Sequence, residues 1–208
     1  MWNVLSADER DRATRFATDT LRLRWSRARS ALRCILALYL GASPASLTFV
    51  TTLGKPALAP AHGRTDLNFN LSHCADIAVC VVTSGAAIGV DLERIRQFDG
   101  QDTLAPDIMT PDELRGYTQQ PQAARAATFF AAWTMKEALA KAIGIGLDLP
   151  FNRIATSPDP AEDSHITWAG ADWHARPLQL GAGIAAAVAL GVPIATVRHV
   201  TLLGGRLD

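Results

Sequence analysis

Apolar positions recur with a helical period from Thr18 to Leu40, where Leu21, Trp25, Ala28, Leu32, Ile35 and Tyr39 fall on one stripe. Gly41 stands where a left-handed cap would end that helix, and Pro44 follows soon after. Arg22, Arg29 and Arg33 run along one edge of the stripe and read mostly as a solvated face. Residues 46–52, 67–73 and 77–83 read as strands, and 87–95 forms another after the Ser84-Gly85 break. A Pro-, Asp- and Gln-bearing segment follows, with a short helix predicted over 111–117. A second long helix is predicted from Arg125 to Ile143, closed by Gly144. Residues 180–197, "LGAGIAAAVALGVPIATV", are long enough on paper to span a membrane. Their apolarity comes mostly from Ala and Gly, so they read as two buried strands around the Gly191-Val192-Pro193 turn. The final "LLGGRLD" reads as a loose tail.

This order predicts an α+β fold made of two similar α/β halves, each a helix packed on a small antiparallel sheet. The expected halves are residues 1–84 and 85–208. A chain of 208 residues, nearly half of them apolar, can bury a self-supporting core. Its 20 basic and 20 acidic residues cancel, which argues against nucleic acid or an anionic membrane as the main partner. An anionic ligand must therefore meet a local cluster. Cys34, Cys74 and Cys80 form no Cys-x-x-Cys pair, so disulfides and structural zinc are not expected and a reducing cytoplasm is. No apolar run follows a basic start in "MWNVLSADERDR", so no secretory signal is expected.

The candidate chemistry starts with "IGVDLERI". On a strand, Asp91 and Glu93 leave the same face, about 7 Å apart at Cα. Two carboxylates so close repel unless a cation lies between them, and a hard divalent ion such as Mg²⁺ removes the conflict. An edge strand with exposed acids is the alternative. In "WTMKEALAKAIGIGL", Met135, Ala138, Leu139 and Ala142 form the expected packed stripe, with Trp133, Glu137 and Lys141 opposite and Lys136 between. Glu137 and Lys141 suit a surface ion pair. If Glu137 instead faces Asp91 and Glu93, the three acids call for a cation, and Lys136 and Lys141 supply charge for phosphates. His73 ends the strand "FNLSH", where adjacent Ser72 and His73 point opposite ways, which excludes a Ser-His dyad. A phosphate contact suits His73, and Lys55 of "LGKP" is a further basic candidate. Walker and Gly-x-Gly-x-x-Gly patterns are absent.

"LGKP", "FNLSH", "IGVDLE" and "WTMKEALAKAIGIGL", in this order and spacing, resemble the motifs of the 4′-phosphopantetheinyl transferase superfamily, in its larger Sfp-type class. The resemblance implies a pseudo-twofold α+β monomer with coenzyme A in a cleft between the halves and Mg²⁺ held by Asp91, Glu93 and Glu137. It implies phosphate contacts from Lys136, Lys141, Ser72 and His73, and places Lys55 and Arg12 near the adenine and 3′-phosphate end. The implied reaction moves phosphopantetheine from coenzyme A to a serine of an apo acyl or peptidyl carrier protein, releasing 3′,5′-ADP. Glu137, directly or through a water, would accept the serine proton, with Asp91 and Lys141 as its catalytic companions. Fatty-acid, polyketide and nonribosomal peptide synthases all offer such a serine. The family usually opens with a strand where only Met1 to Val4 stand here, and Ile145 replaces a lysine common in relatives. A non-catalytic protein that binds coenzyme A or a carrier on the same fold is the alternative.

Overall fold

A computed structural model describes residues 2–52, 54–157, 161–200, 202–203 and 206–207. It is an α+β structure built from helices and small antiparallel sheets. Packing gathers the chain into two compact units, Met1–Thr52 with Pro56–Leu67 and Thr196–Asp208, and Leu53–Lys55 with Asn68–Ala195.

In the first unit, α1 (Ala7–Thr14) starts at a capping box in which Ser6 and Glu9 satisfy each other's backbone N–H groups. The longer α2 (Asp19–Leu40) ends at Gly41, whose φ of 60° supplies the left-handed cap. Its buried side is Ser26, Ala28, Ser30, Leu32, Arg33, Leu36 and Ala37, so the buried stripe is rotated from the expected one and leaves Leu21 and Tyr39 exposed. The cause is Glu9, which is buried and accepts hydrogen bonds from Arg29 and, at 2.6 Å, from Arg33 Nε. Arg33 Nη1 also donates to the carbonyls of Pro44 at 2.8 Å and Leu47 at 2.9 Å. Pairing and full hydrogen bonding let a guanidinium leave water. Strands β1 (Phe49–Thr52) and β2 (Lys55–Leu58) form a two-stranded sheet.

The second unit carries β3 (Leu67–Cys74), paired with β4 (Ile77–Ser84), and β5 (Ile88–Arg94). Helices α3 (Gln101–Ile108), α4 (Pro111–Gln119) and α5 (Gln122–Ile143) follow, then β6 (Ser164–Trp168), β7 (Ala171–Pro177) and β8 (Ile184–Leu190). The four-stranded sheet has the order β5-β8-β7-β6, and α5 packs on it along β5 and β8. β8 is almost wholly Ala and Val because a helix backbone lies close over it. Residues 180–197 therefore hold one buried strand, where two were expected. Both edges of β8 are taken by β5 and β7, and residues 193–200 form no strand. The helix α3 was unrecognised in the sequence, with Pro106 inside it and polar residues around it. Strands β9 (Leu202–Leu203) and β10 (Arg206–Leu207) pair, while the rest of the presumed loose tail lies outside the described residues. Among the described residues no helix is long and apolar enough to cross a membrane.

Candidate active site

Gly89 sets the geometry of the site. A Cβ placed on it would lie 2.1 Å from the Ala138 carbonyl oxygen and 2.4 Å from the Ala142 nitrogen. Only a hydrogen fits between strand and helix, so the backbones of β5 and α5 touch there. Strand alternation then turns Asp91 and Glu93 toward the same helix. Asp91 is 6% exposed, so the strand does not present it to open solvent. Both faces of β5 are buried from Ile88 to Leu92.

Lys141 meets Asp91 one step along. Its Nζ lies 2.6 Å from Asp91 Oδ1 and 3.2 Å from Ser72 Oγ, while Ser72 Oγ donates to Asp91 Oδ1 at 3.0 Å. Three motifs distant in sequence thus meet around one carboxylate oxygen. The second oxygen, Asp91 Oδ2, is buried and has no partner among the described residues. A buried acceptor of this kind costs free energy unless a donor or cation completes it.

Glu137 stands one turn before Lys141 and is half-buried. Burial raises its carboxyl above the ordinary value of 4.5; Lys141 opposes that, and the like charges of Asp91 and Glu93 add to it. The helix acid therefore shares the field of both strand acids. Among the described residues no group of three or more His, Cys, Asp or Glu side chains closes around an ion outright. Glu93 accepts from the Cys74 thiol at 3.6 Å and lies 3.6 Å from Arg96. In kind, the donors suit a hard divalent cation: all are carboxylate oxygens, one is an orphaned buried acceptor, and a cation would relieve the repulsion that Asp91 and Glu93 add to the effect of burial on Glu137.

Lys55 Nζ donates to the Lys141 carbonyl and, at 3.5 Å, to that of Ala142, near the α5 C-terminus where a cation is favoured. Burial lowers its pKa from the ordinary 10.5. His73 is exposed and points away from Ser72, as alternation along β3 requires. Arg12 belongs to the first unit, where its guanidinium lies 5.4 Å from the Trp25 ring centroid.

Lys136 is not brought to this cluster. Its side chain is fully buried, and Nζ donates to Glu113 Oε2 at 2.5 Å and to the carbonyls of Ile108 at 2.8 Å and Phe151 at 3.1 Å. All three ammonium hydrogens are engaged, so none is left for a phosphate. The expectation of Lys136 between the packed and open sides of α5 fails because α3, α4 and the turn at Phe151–Arg153 cover that side. Glu113, which sequence reasoning missed, also accepts from Thr156 N at 2.9 Å and Oγ1 at 2.6 Å and caps α4 through Thr110. Its signal was the Thr-x-x-Glu capping box at 110–113. Asn70 was missed as well. It is buried, and its Oδ1 accepts from Val90 N at 2.9 Å; the signal was a polar residue two before Ser72, on the same strand face. Burial pushes the Cys80 thiol up to about 12, away from the reactive thiolate.

A family model described as the 4′-phosphopantetheinyl transferase superfamily matches residues 87–189, which include β5, α5 and nearly all of β8. The chain is 38% identical over 162 residues to the 4′-phosphopantetheinyl transferase HetI of Nostoc sp., covering 76% of this chain and 68% of that protein. It is 32% identical over 174 residues to a phosphopantetheinyl transferase of Thraustochytrium sp., covering 78% of this chain but 59% of that protein. A 4′-phosphopantetheinyl transferase of Bacillus subtilis is 29% identical over 175 residues, covering 84% of this chain and 75% of that one.

Proposed function

Because the chain belongs to the 4′-phosphopantetheinyl transferase superfamily, we propose that it transfers the 4′-phosphopantetheine arm of coenzyme A to a serine of an apo acyl or peptidyl carrier protein, releasing 3′,5′-ADP. The single observation that carries the site assignment is Asp91, buried with one oxygen on Lys141 and the other unpartnered, in the same field as Glu137.

Asp91, Glu93 and Glu137 would hold Mg²⁺. When bound, the ion would neutralise charge on the diphosphate under attack. Glu137, directly or through a water, takes the serine proton. The serine oxygen forms a bond to phosphorus as the phosphorus–oxygen bond to the nucleotide half breaks. Lys141, ion-paired with Asp91 and partly exposed, offers its ammonium to the phosphate oxygens as negative charge grows there. Ser72 and His73 contact the nucleotide phosphates, and Lys55 serves the adenine and 3′-phosphate end. These nucleotide contacts and a monomeric state rest on the family resemblance, the halves 1–84 and 85–208 on the order of elements, and a cytoplasmic location on the cysteines.

The test is incubation with coenzyme A, Mg²⁺ and an apo carrier protein, read by intact mass. A gain of one phosphopantetheine arm, lost on chelation, supports the proposal. Coenzyme A or carrier binding with no mass gain would replace it with a non-catalytic role.

A further inference from the structure

We infer that Asn70 is a positioning residue for the strand that bears Asp91, and so for the ion-holding set; this rests on the proposed transferase reading. The reason lies in how β5 ends its sheet. β5 is the edge strand of the order β5-β8-β7-β6, and the β3–β4 pair is a separate ladder. Hydrogen bonding along an antiparallel edge alternates, so every second N–H of β5 points away from β8. Gly191 N bonds to the Ala87 carbonyl and Ile95 N to the Gly183 carbonyl, which places the odd-numbered residues on the β8 side. Val90 therefore turns its N–H outward, from a residue that is completely buried.

No backbone ladder receives that N–H, and no water reaches it. Asn70 Oδ1 does, at 2.9 Å. Two residues on, Ser72 Oγ bonds Asp91 Oδ1 at 3.0 Å. The same face of β3 thus holds two successive residues of β5, one by its backbone and one by its carboxylate. Side chains take the place of a missing strand pairing. Asn fits this task where Leu of similar size does not, because only an acceptor satisfies the buried amide. Fixing the Val90 amide fixes the height of β5 one residue before Asp91, and with it where the unpartnered Oδ2 stands. Partners of this kind, behind the ligands, set metal affinity by orienting them.

The test compares wild type, Asn70→Leu, Asn70→Asp and Asp91→Ala in the full-length chain. Mn²⁺ binding is read by water-proton relaxation, Val90 by amide hydrogen exchange, and folding by thermal unfolding, with carrier modification assayed in parallel. In Asn70→Leu, measured well below its unfolding transition, Mn²⁺ affinity falls about 10–100-fold and Val90 exchanges faster. Asn70→Asp, which keeps the acceptor, restores most of both. Asn70→Ala replaces Asn70→Leu if the latter does not fold, with the same loss expected. Mn²⁺ affinity within about twofold of wild type in either folded variant overturns the inference and reduces Asn70 to a stability role. Wild-type protein that neither binds Mn²⁺ nor modifies a carrier overturns the proposed function itself, and the role of Asn70 with it.

Discussion

Replacing Gly89 with alanine tests the packing that builds the site. The added methyl would meet the Ala138 carbonyl oxygen at 2.1 Å, the Ala142 nitrogen at 2.4 Å and the Lys141 carbonyl carbon at 2.9 Å. All three are helix backbone atoms, so no side-chain rotation relieves the contact. The helix must withdraw by about 1 Å, and a gap of that size forfeits a quarter to a half of each dispersion contact it opens. Overpacking typically costs about 1–3 kcal/mol, and a clash with backbone belongs at the top of that range. A loss of about 3 kcal/mol corresponds to a midpoint about 6–12 °C lower for a chain of this size. The 2.6 Å contact between Lys141 and Asp91 would open with the helix, and a misplacement of about 1 Å costs about a hundredfold in rate. Urea and thermal unfolding followed by circular dichroism measure the first effect. The mass assay for carrier modification, run well below the variant's transition, measures the second. A Gly89→Ala protein within about 1 kcal/mol of wild type and fully active would refute the argument that the two backbones touch.

The other expectations concern charge. Asp91→Ala and Glu137→Ala each abolish transfer and leave the circular dichroism spectrum unchanged; near-normal turnover in either would remove that residue from the site. Lys141→Ala chiefly raises the KM for coenzyme A, and an unaltered KM would count against a phosphate role. Lys136→Met leaves Glu113 charged and buried without its main partner, at a cost of about 3–5 kcal/mol, while the KM for coenzyme A stays put. A raised KM with an unchanged unfolding midpoint would instead return Lys136 to the phosphates. The two glutamates give opposite pH signatures. The Glu113 carboxyl is driven up by burial but held below 4.5 overall by Lys136, Thr156 and the Thr110 amide. The native state then binds fewer protons than the unfolded one, so this stabilisation is lost as pH falls from about 4.5 through the lowered value. Glu137 is raised, so the native state binds more protons and stability declines as pH rises from about 4.5 through the raised value. Stability measured against pH in Glu113→Gln and Glu137→Gln should lose the first and second slopes respectively; an unchanged profile in either contradicts its assignment.

The periodicities of the chain determined much by themselves. The two 22-residue helices end at glycines placed where the sequence predicts, and β5 turns Asp91 and Glu93 to one side while β3 turns Ser72 and His73 to opposite sides. These follow from spacing along a single element, which local geometry fixes. The rotation of each element about its own axis does not, because it depends on partners far away in sequence. Lys136 is buried because Glu113, from a helix 23 residues earlier, and two backbone carbonyls await it. Arg33 is buried because Glu9 is there, although the helical stripe placed it at a solvated edge. Residues 194–197, which the alternation read as a second strand, lie in none. Asp91 faces a helix and not solvent because Gly89 lets α5 come so close. The sequence thus supplied the charges and their intervals, and close packing between distant segments decided which charges were buried in pairs and which were left to act.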